Sequence, residues 1–281
     1  MFEKESLLEW IGKKEVREEI IRPWPVQALT ATLNGDTSVE PNVVPPGWHW
    51  LYFLDAKPLK ELGPDGHIKK GTFLPPIPLP RRMWAGGRLT FYRPLKMGDF
   101  ARKEAEIVSI LPKEGRAGKM IFVTVKNTIF VGAEMVAIDE QDLVYLEKSK
   151  PSEKIAGKAS PTKWIWQRKM HADSVLLFRF SALTFNSHRI HYDLPYAKNE
   201  EHYKDLVVHG PLQALLLLDL CRSNAASSVC EFSYRGVSPL YCGDSFTINA
   251  ENSENSGSLN LWTADSDGNY CMSATAVLSK G

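Results

Sequence analysis

Apolar positions change their spacing several times along the 281 residues, and each change marks an element. Leu7, Leu8 and Ile11 stand among charges within residues 3–22, a spacing that predicts an amphipathic helix. A second helix is expected over Val26–Leu33, closed by Asn34-Gly35-Asp36, since glycine suits the left-handed position past a helix end. The aromatic run Trp48–Leu54 fits a buried strand or a short buried helix equally well. Strand-like stretches follow over 88–94, 105–111, 120–131 and 136–146, with a charged, glycine-bearing hairpin loop at 113–118. In the second half Leu176–Ala182 reads as a strand and His209–Ala226 as one long apolar helix. Residues 231–239, 245–250, 258–264 and 270–278 then read as further strands.

Two stretches carry little to bury. Residues 58–87 are irregular, with prolines at 75, 76, 78 and 80, and end in Arg81-Arg82-Met83-Trp84-Ala85-Gly86-Gly87-Arg88. A loop of that length is either a solvated cover or a binding loop. In the second case Arg81, Arg82 and Arg88 would meet phosphate or carboxylate, and Trp84 would stack on a flat ring. Residues 148–163 are polar and contain proline, which makes them a linker between domains 1–150 and 151–281. The two sides share a phrase: Pro-Leu-x-x-Gly-Asp at Pro94–Asp99 and again at Pro239–Asp244, each followed by Phe and by alternating strands. An internal duplication is expected, with two similar α+β units side by side, each an apolar helix on a curved antiparallel sheet.

Composition adds exclusions. An apolar content of 43% and a net charge of +1 fit a soluble globular chain and give no electrostatic case for nucleic acid or an anionic membrane. No apolar run nears the roughly 20 residues that span a bilayer. The start of the chain has early acids and no apolar segment, so neither a secretory signal nor an organelle presequence is expected, and the compartment is read as cytoplasmic. The four cysteines form no CxxC pair, which favours reduced thiols over a structural zinc.

Chemistry concentrates in Phe185-Asn-Ser-His-Arg-Ile-His-Tyr-Asp193 and in His209-Gly210-Pro211. Gly210 and Pro211 suit the first turn of the long helix, where unpaired amides at the positive end of the dipole can hold a thioester oxygen as it gains charge. His191 is the residue type to move the proton. His188 and His191 lack a convincing third ligand, so no metal is expected. His49 and His67 have no partner visible in the sequence and read as structural or solvated, and Asp219 with Arg222 as a helix-surface pair.

Phe180–Asp193, followed by Val207-Val-His-Gly-Pro-Leu212, resembles the MaoC-like, R-specific hydratase 2 family. Trp48–Leu54 and Phe73–Arg88 narrow the resemblance to its mesaconyl-C4-CoA and itaconyl-CoA hydratase branch, related to the type 2 hydroxyacyl-thioester dehydratases. The resemblance implies a double hot dog, with a degenerate N-terminal unit and a C-terminal unit that carries the hydratase motif. It implies a hydro-lyase acting on an α,β-unsaturated acyl-CoA, with coenzyme A as part of the substrate, no cofactor, and a homodimer as the assembly it allows. The family's usual motif, Asp-x-Asn-Pro-x-His, sets its histidine on His191, with Asn186 where Asp is usual and His188 where Asn is usual. On this reading His191 is the base, Asn186 holds the water and the Gly210 amide holds the enolate oxygen. His188, Arg189, His209, Arg81, Arg82, Trp84 and Arg88 are expected around the substrate. A 3-hydroxyacyl-thioester dehydratase, a hot dog thioesterase and a non-catalytic acyl-CoA scaffold are the alternatives.

Overall fold

The computed structural model describes residues 4–35, 40–115, 118–148 and 157–280. The N-terminal part comprises α1 (Lys4–Leu8), β1 (Lys14–Ile20), α2 (Pro23–Thr32), β2 (Val43–Val44), β3 (Arg81–Phe91), β4 (Leu95–Lys96), β5 (Phe100–Gly115), β6 (Gly118–Val131) and β7 (Glu134–Leu146). The C-terminal part comprises β8 (Trp166–His171), α3 (Ser174–Leu183), α4 (Leu194–Asn199), α5 (Gly210–Asn224), β9 (Val229–Gly236), β10 (Ser245–Asn252), β11 (Ser258–Ala264) and β12 (Tyr270–Leu278). Single 3-10 turns occupy Trp48–Leu51, Leu59–Glu61 and Arg189–His191.

Ten strands form one antiparallel sheet in the order β1-β5-β6-β7-β3-β9-β12-β11-β10-β8. Each half of that order is the other half with its strands renamed. Strands β3 and β9 pair at the seam, from Gly86 opposite Arg235 to Thr90 opposite Glu231, so the two units share a continuous sheet. The repeated Pro-Leu-x-x-Gly-Asp phrase performs the same task twice. The Gly98 amide donates to the Ile21 carbonyl just past β1, and the Gly243 amide donates to the Ala172 carbonyl just past β8. The proposed domain junction at residue 150 lies outside the described residues.

The sheet wraps α5. Leu212, Leu215, Leu216, Leu217, Leu218 and Leu220 are all buried there, which accounts for a helix apolar on every side. Each such leucine stabilises the fold by roughly 1.5–3 kcal/mol relative to exposure. In the N-terminal unit the corresponding position holds only the Trp48–Leu51 turn. It follows β2, which pairs with β4, just as α5 follows the Val207–Tyr241 bridge. The fully buried Trp48 packs in the same core as α5 and donates to Asp219 at 3.2 Å. No helix among the described residues is long and apolar enough to cross a membrane.

Residues 81–87, expected as the end of an irregular loop, begin strand β3, where they pair with β7, and two further expected elements differ. Residues 14–20 form an edge strand rather than part of a helix, and β1 turns Glu15, Arg17 and Glu19 inward while Val16 and Ile20 are exposed. The inward charges are satisfied: Arg17 pairs with Glu15 and Asp55, and Glu19 accepts the Phe53 amide. Residues 174–183 form α3 rather than a strand, because the Asp173 side chain caps the helix by accepting the Leu176 amide at 2.8 Å.

Candidate active site

Val207 and Val208 are tied to Tyr241 and Leu240, which aims the next residues at the start of α5. His209 is the N-cap, Gly210 and Pro211 begin the helix, and no side chain caps it. Gly210 and Pro211 line a cavity of about 990 Å³. The glycine is required by packing: a Cβ there would stand 2.8 Å from Cε3 of Trp84. Trp84 stacks on Tyr234 at 4.5 Å and receives the edge of Trp50 at 5.4 Å, so the flat ring it meets belongs to the protein.

The histidine motif leaves α3 through Phe185, whose φ is 49°. The Asn186 amide donates to the Ser181 carbonyl, and Asn186 Oδ1 accepts the His188 amide at 3.0 Å. That bond turns the chain into the 3-10 turn that carries His191. His191 Nδ1 lies 2.7 Å from the Val207 carbonyl. A carbonyl only accepts, so the neutral ring carries its proton on Nδ1 and keeps the Nε2 lone pair free. Burial lowers the His191 pKa to about 4, against the upward pull of the Val207 carbonyl. His209 stacks on His191 with centroids 3.6 Å apart, and its Nε2 lies 2.8 Å from Ser181 Oγ. Burial, then the His191 ring, holds His209 well below the usual histidine range.

The loop before β3 supplies residues whose role the sequence did not reveal. Ser187 Oγ donates to the Gly66 carbonyl at 2.5 Å, the Arg189 amide to the Asp65 carbonyl at 2.9 Å, and Arg189 Nη1 to the Pro64 carbonyl at 2.9 Å. These bonds bring His67 against His188, with centroids 4.0 Å apart, and His188 meets His191 edge-on at 5.5 Å. His67 is not solitary: its Nδ1 donates to Asp65 Oδ2 at 2.9 Å. Burial raises the Asp65 carboxyl, but its bonds to His67 and the charge of Arg82 outweigh this and hold it below the usual range. Burial, then the neighbouring imidazoles and Arg82, pushes His188 far down, and burial with Arg82 lowers His67 against the pull of Asp65, so both imidazoles are neutral at ordinary pH.

Of the residues the sequence nominates, Arg82, Trp84, Asn186, His188, His191 and Gly210 line this one cavity. The others are engaged elsewhere. Arg81 pairs with Glu201 and donates to Tyr203, Arg88 pairs with Glu140 and Asp142, and Arg189 pairs with Asp193. His209 sits fully buried behind His191. Asp219 and Arg222 are not a surface pair, since Asp219 is 1% exposed and bonds Arg222 at 2.7 Å within the core. His49 lies 3.4 Å from the buried Asp139 and also lines the cavity. A contact between side chains some 120 positions apart leaves no mark on sequence spacing. The only available signal for Asp65 and His67 was the Gly-Pro-Asp-Gly turn beside a histidine in a long loop.

Residues 47–242 match the family described as hydroxyacyl-thioester dehydratase type 2. The chain belongs to that family. It is 42% identical to the mesaconyl-C(4)-CoA hydratase of Chloroflexus aurantiacus, over 96% of each chain. It is 27% identical to the mitochondrial type 2 hydroxyacyl-thioester dehydratase of Schizosaccharomyces pombe, over 85% of this chain and 90% of that one. The fold matches a MaoC-like dehydratase of Phytophthora capsici with a TM-score of 0.70 at 13% identity, covering 98% of this chain and 97% of that one. It also matches a Mycobacterium tuberculosis protein described as a double hotdog fold, with a TM-score of 0.53 at 15% identity over 97% and 98% of the two chains. The fold is accordingly a double hot dog, and the protein is an enzyme of the hydratase and dehydratase class.

Proposed function

We propose that the enzyme adds water across the double bond of a branched dicarboxylic acyl-CoA, mesaconyl-C4-CoA or itaconyl-CoA, to give citramalyl-CoA. The observation that carries this reading is the juxtaposition of the free Nε2 of His191 with the uncapped start of α5 in one cavity. With mesaconyl-C4-CoA, whose double bond is conjugated with the thioester, water gives a proton to His191 as its oxygen bonds C3, counted from the thioester carbon, and the π electrons of the double bond move onto the thioester oxygen. The Gly210 amide and the helix dipole stabilise that enolate. His191 then returns the proton to C2, so water is added whole and the imidazole regains its starting state. Asn186 serves the water as an amide donor, because its oxygen is already committed to the His188 amide.

The substrate's free carboxylate is assigned to Arg82. Arg81, Arg88 and Arg189 are bonded to carboxylates, whereas Arg82 lines the cavity with a weak 3.5 Å bond to the Ile68 carbonyl and feels Asp65 only through its charge. A thioesterase on this fold would need a carboxylate on the long helix, and Asp219 is locked in the core with Trp48 and Arg222. Mesaconyl-C4-CoA, itaconyl-CoA and crotonyl-CoA assayed side by side test the substrate. A clear preference for a dicarboxylic thioester is expected, and faster turnover of crotonyl-CoA would refute the assignment. In this reading the catalytic unit is 151–281, with 1–150 contributing the wall that carries Arg82.

A further inference from the structure

We propose that Asp65 and His67, on the loop before β3, supply the carboxylate and second imidazole of the hydratase site, in the role that Asn186 cannot fill. This rests on the hydration reading above and adds a residue pair from the other unit to it. Asn186 has no proton-accepting group to offer, since its oxygen is occupied and an amide is not a base. His67 has one. Its Nδ1–H is fixed on Asp65 Oδ2 at 2.9 Å, so the neutral ring directs a free Nε2 lone pair away from the carboxylate. The ring lines the same cavity as His191 and lies tilted against His188 at 4.0 Å, and His188 in turn meets His191 edge-on.

The loop is held there by design of the backbone. Three hydrogen bonds fasten Pro64, Asp65 and Gly66 to Ser187 and Arg189, immediately beside the motif. Gly66 has φ 86°, and any Cβ at that position would collide with the Ser187 carbonyl, so only glycine lets the loop approach this closely. A cover held only to exclude solvent would not need a carboxylate-backed imidazole at its point of contact.

In the step, the water's two O–H bonds have separate acceptors. One hydrogen bonds to His67 Nε2 and stays on the oxygen. The other is taken by His191 Nε2 as the oxygen bonds C3, and returns to C2 of the enolate. The hydroxyl keeps the first hydrogen, so atoms balance and His67 ends as it began. His67 touches the reacting water and is catalytic; Asp65 acts through it and is a positioning residue. Side-chain atoms of Asp65, His67 and His188 also lie within 4.8 Å of one another, close enough to hold a cation. The Arg82 charge acts on all three and opposes a cation there.

The test uses the full-length protein and whichever of the three thioesters it hydrates fastest. His67→Ala and His67→Gln should each lower kcat by about 10–100-fold, the worth of one hydrogen bond to the reacting water, with KM within about threefold of wild type. Imidazole added to His67→Ala should restore part of the rate. Asp65→Asn should lower kcat and move the acid limb of its pH profile to lower pH. Loss of the carboxylate leaves His67 facing only Arg82 from β3 and the imidazoles of His188 and His191, all of which disfavour its protonated form. A folded His67→Gln that keeps kcat within about threefold, or loses only KM, overturns the proposal. So does wild-type activity abolished by a chelator and restored by zinc. A wild type that hydrates none of the three overturns the hydration reading as well, whereas an active wild type with fully active His67 variants overturns this inference alone.

Discussion

Replacing Gly210 with alanine probes how tightly the helix start and the cavity wall are fitted. The new Cβ would lie 2.8 Å from Cε3 and 3.2 Å from Cζ3 of Trp84. Carbon atoms in contact prefer roughly 3.5–4.0 Å, so the indole must retreat by about 0.7 Å or the helix start must move. The indole has little room, held by the stack on Tyr234 and the edge of Trp50. Overpacking of this kind costs about 1–3 kcal/mol, and a melting temperature falls by roughly 2–4 °C per kcal/mol in a chain of this size. Displacing an oxyanion donor costs about 10²–10³ in kcat. Gly210→Ala should therefore melt a few degrees lower and lose about 10²-fold in kcat, with a much smaller change in KM. Thermal unfolding and a continuous assay of enoyl thioester absorbance measure both. A variant with unchanged kcat would refute the claim that this helix start holds the developing charge.

Further outcomes follow from the charges. Because burial lowers the His191 pKa to about 4 and holds His67 below its ordinary value too, both neutral forms persist below the usual histidine range, and the acid limb of kcat/KM should fall below 6.5. The same shift has a stability consequence: the folded ring resists a proton that the unfolded chain binds. The stability it contributes is complete above about 6.5 and is lost as pH falls toward 4, which thermal melts across that window will show. Arg82→Gln should reduce kcat/KM for a dicarboxylic thioester by about 10–100-fold, the worth of one charged hydrogen bond, and leave crotonyl-CoA nearly unaffected. Asp219→Ala should destabilise the fold by about 3–5 kcal/mol in denaturant titrations, by breaking a buried pair, yet keep kcat in the folded protein.

The duplication was legible because Pro-Leu-x-x-Gly-Asp sits at the same backbone junction in both units, where its glycine amide is spent on the residue after the edge strand. The long helix was legible because a run as apolar as Leu215–Leu218 can only be core. The edge strand β1 was hidden for the opposite reason. Its inner face is charged and satisfied by ion pairs, so periodicity in apolar residues pointed the wrong way. Helix α3 was obscured by Val175 and Phe178, apolar yet exposed, although Asp173 stood ready as a cap. At the site, His191, Asn186 and Gly210 could be named because they lie within a short motif and its neighbouring helix. Asp65 and His67 could not, because their placement depends on the loop's bonds to Ser187 and Arg189.

His191→Ala, compared with wild type on an enoyl thioester, tests the central claim most directly. Wild type should erase the absorbance of the conjugated thioester without releasing thiol, and His191→Ala should do so at least about 10²-fold more slowly. Near-normal turnover by the folded His191→Ala protein, or thiol release by wild type in place of hydration, would contradict it.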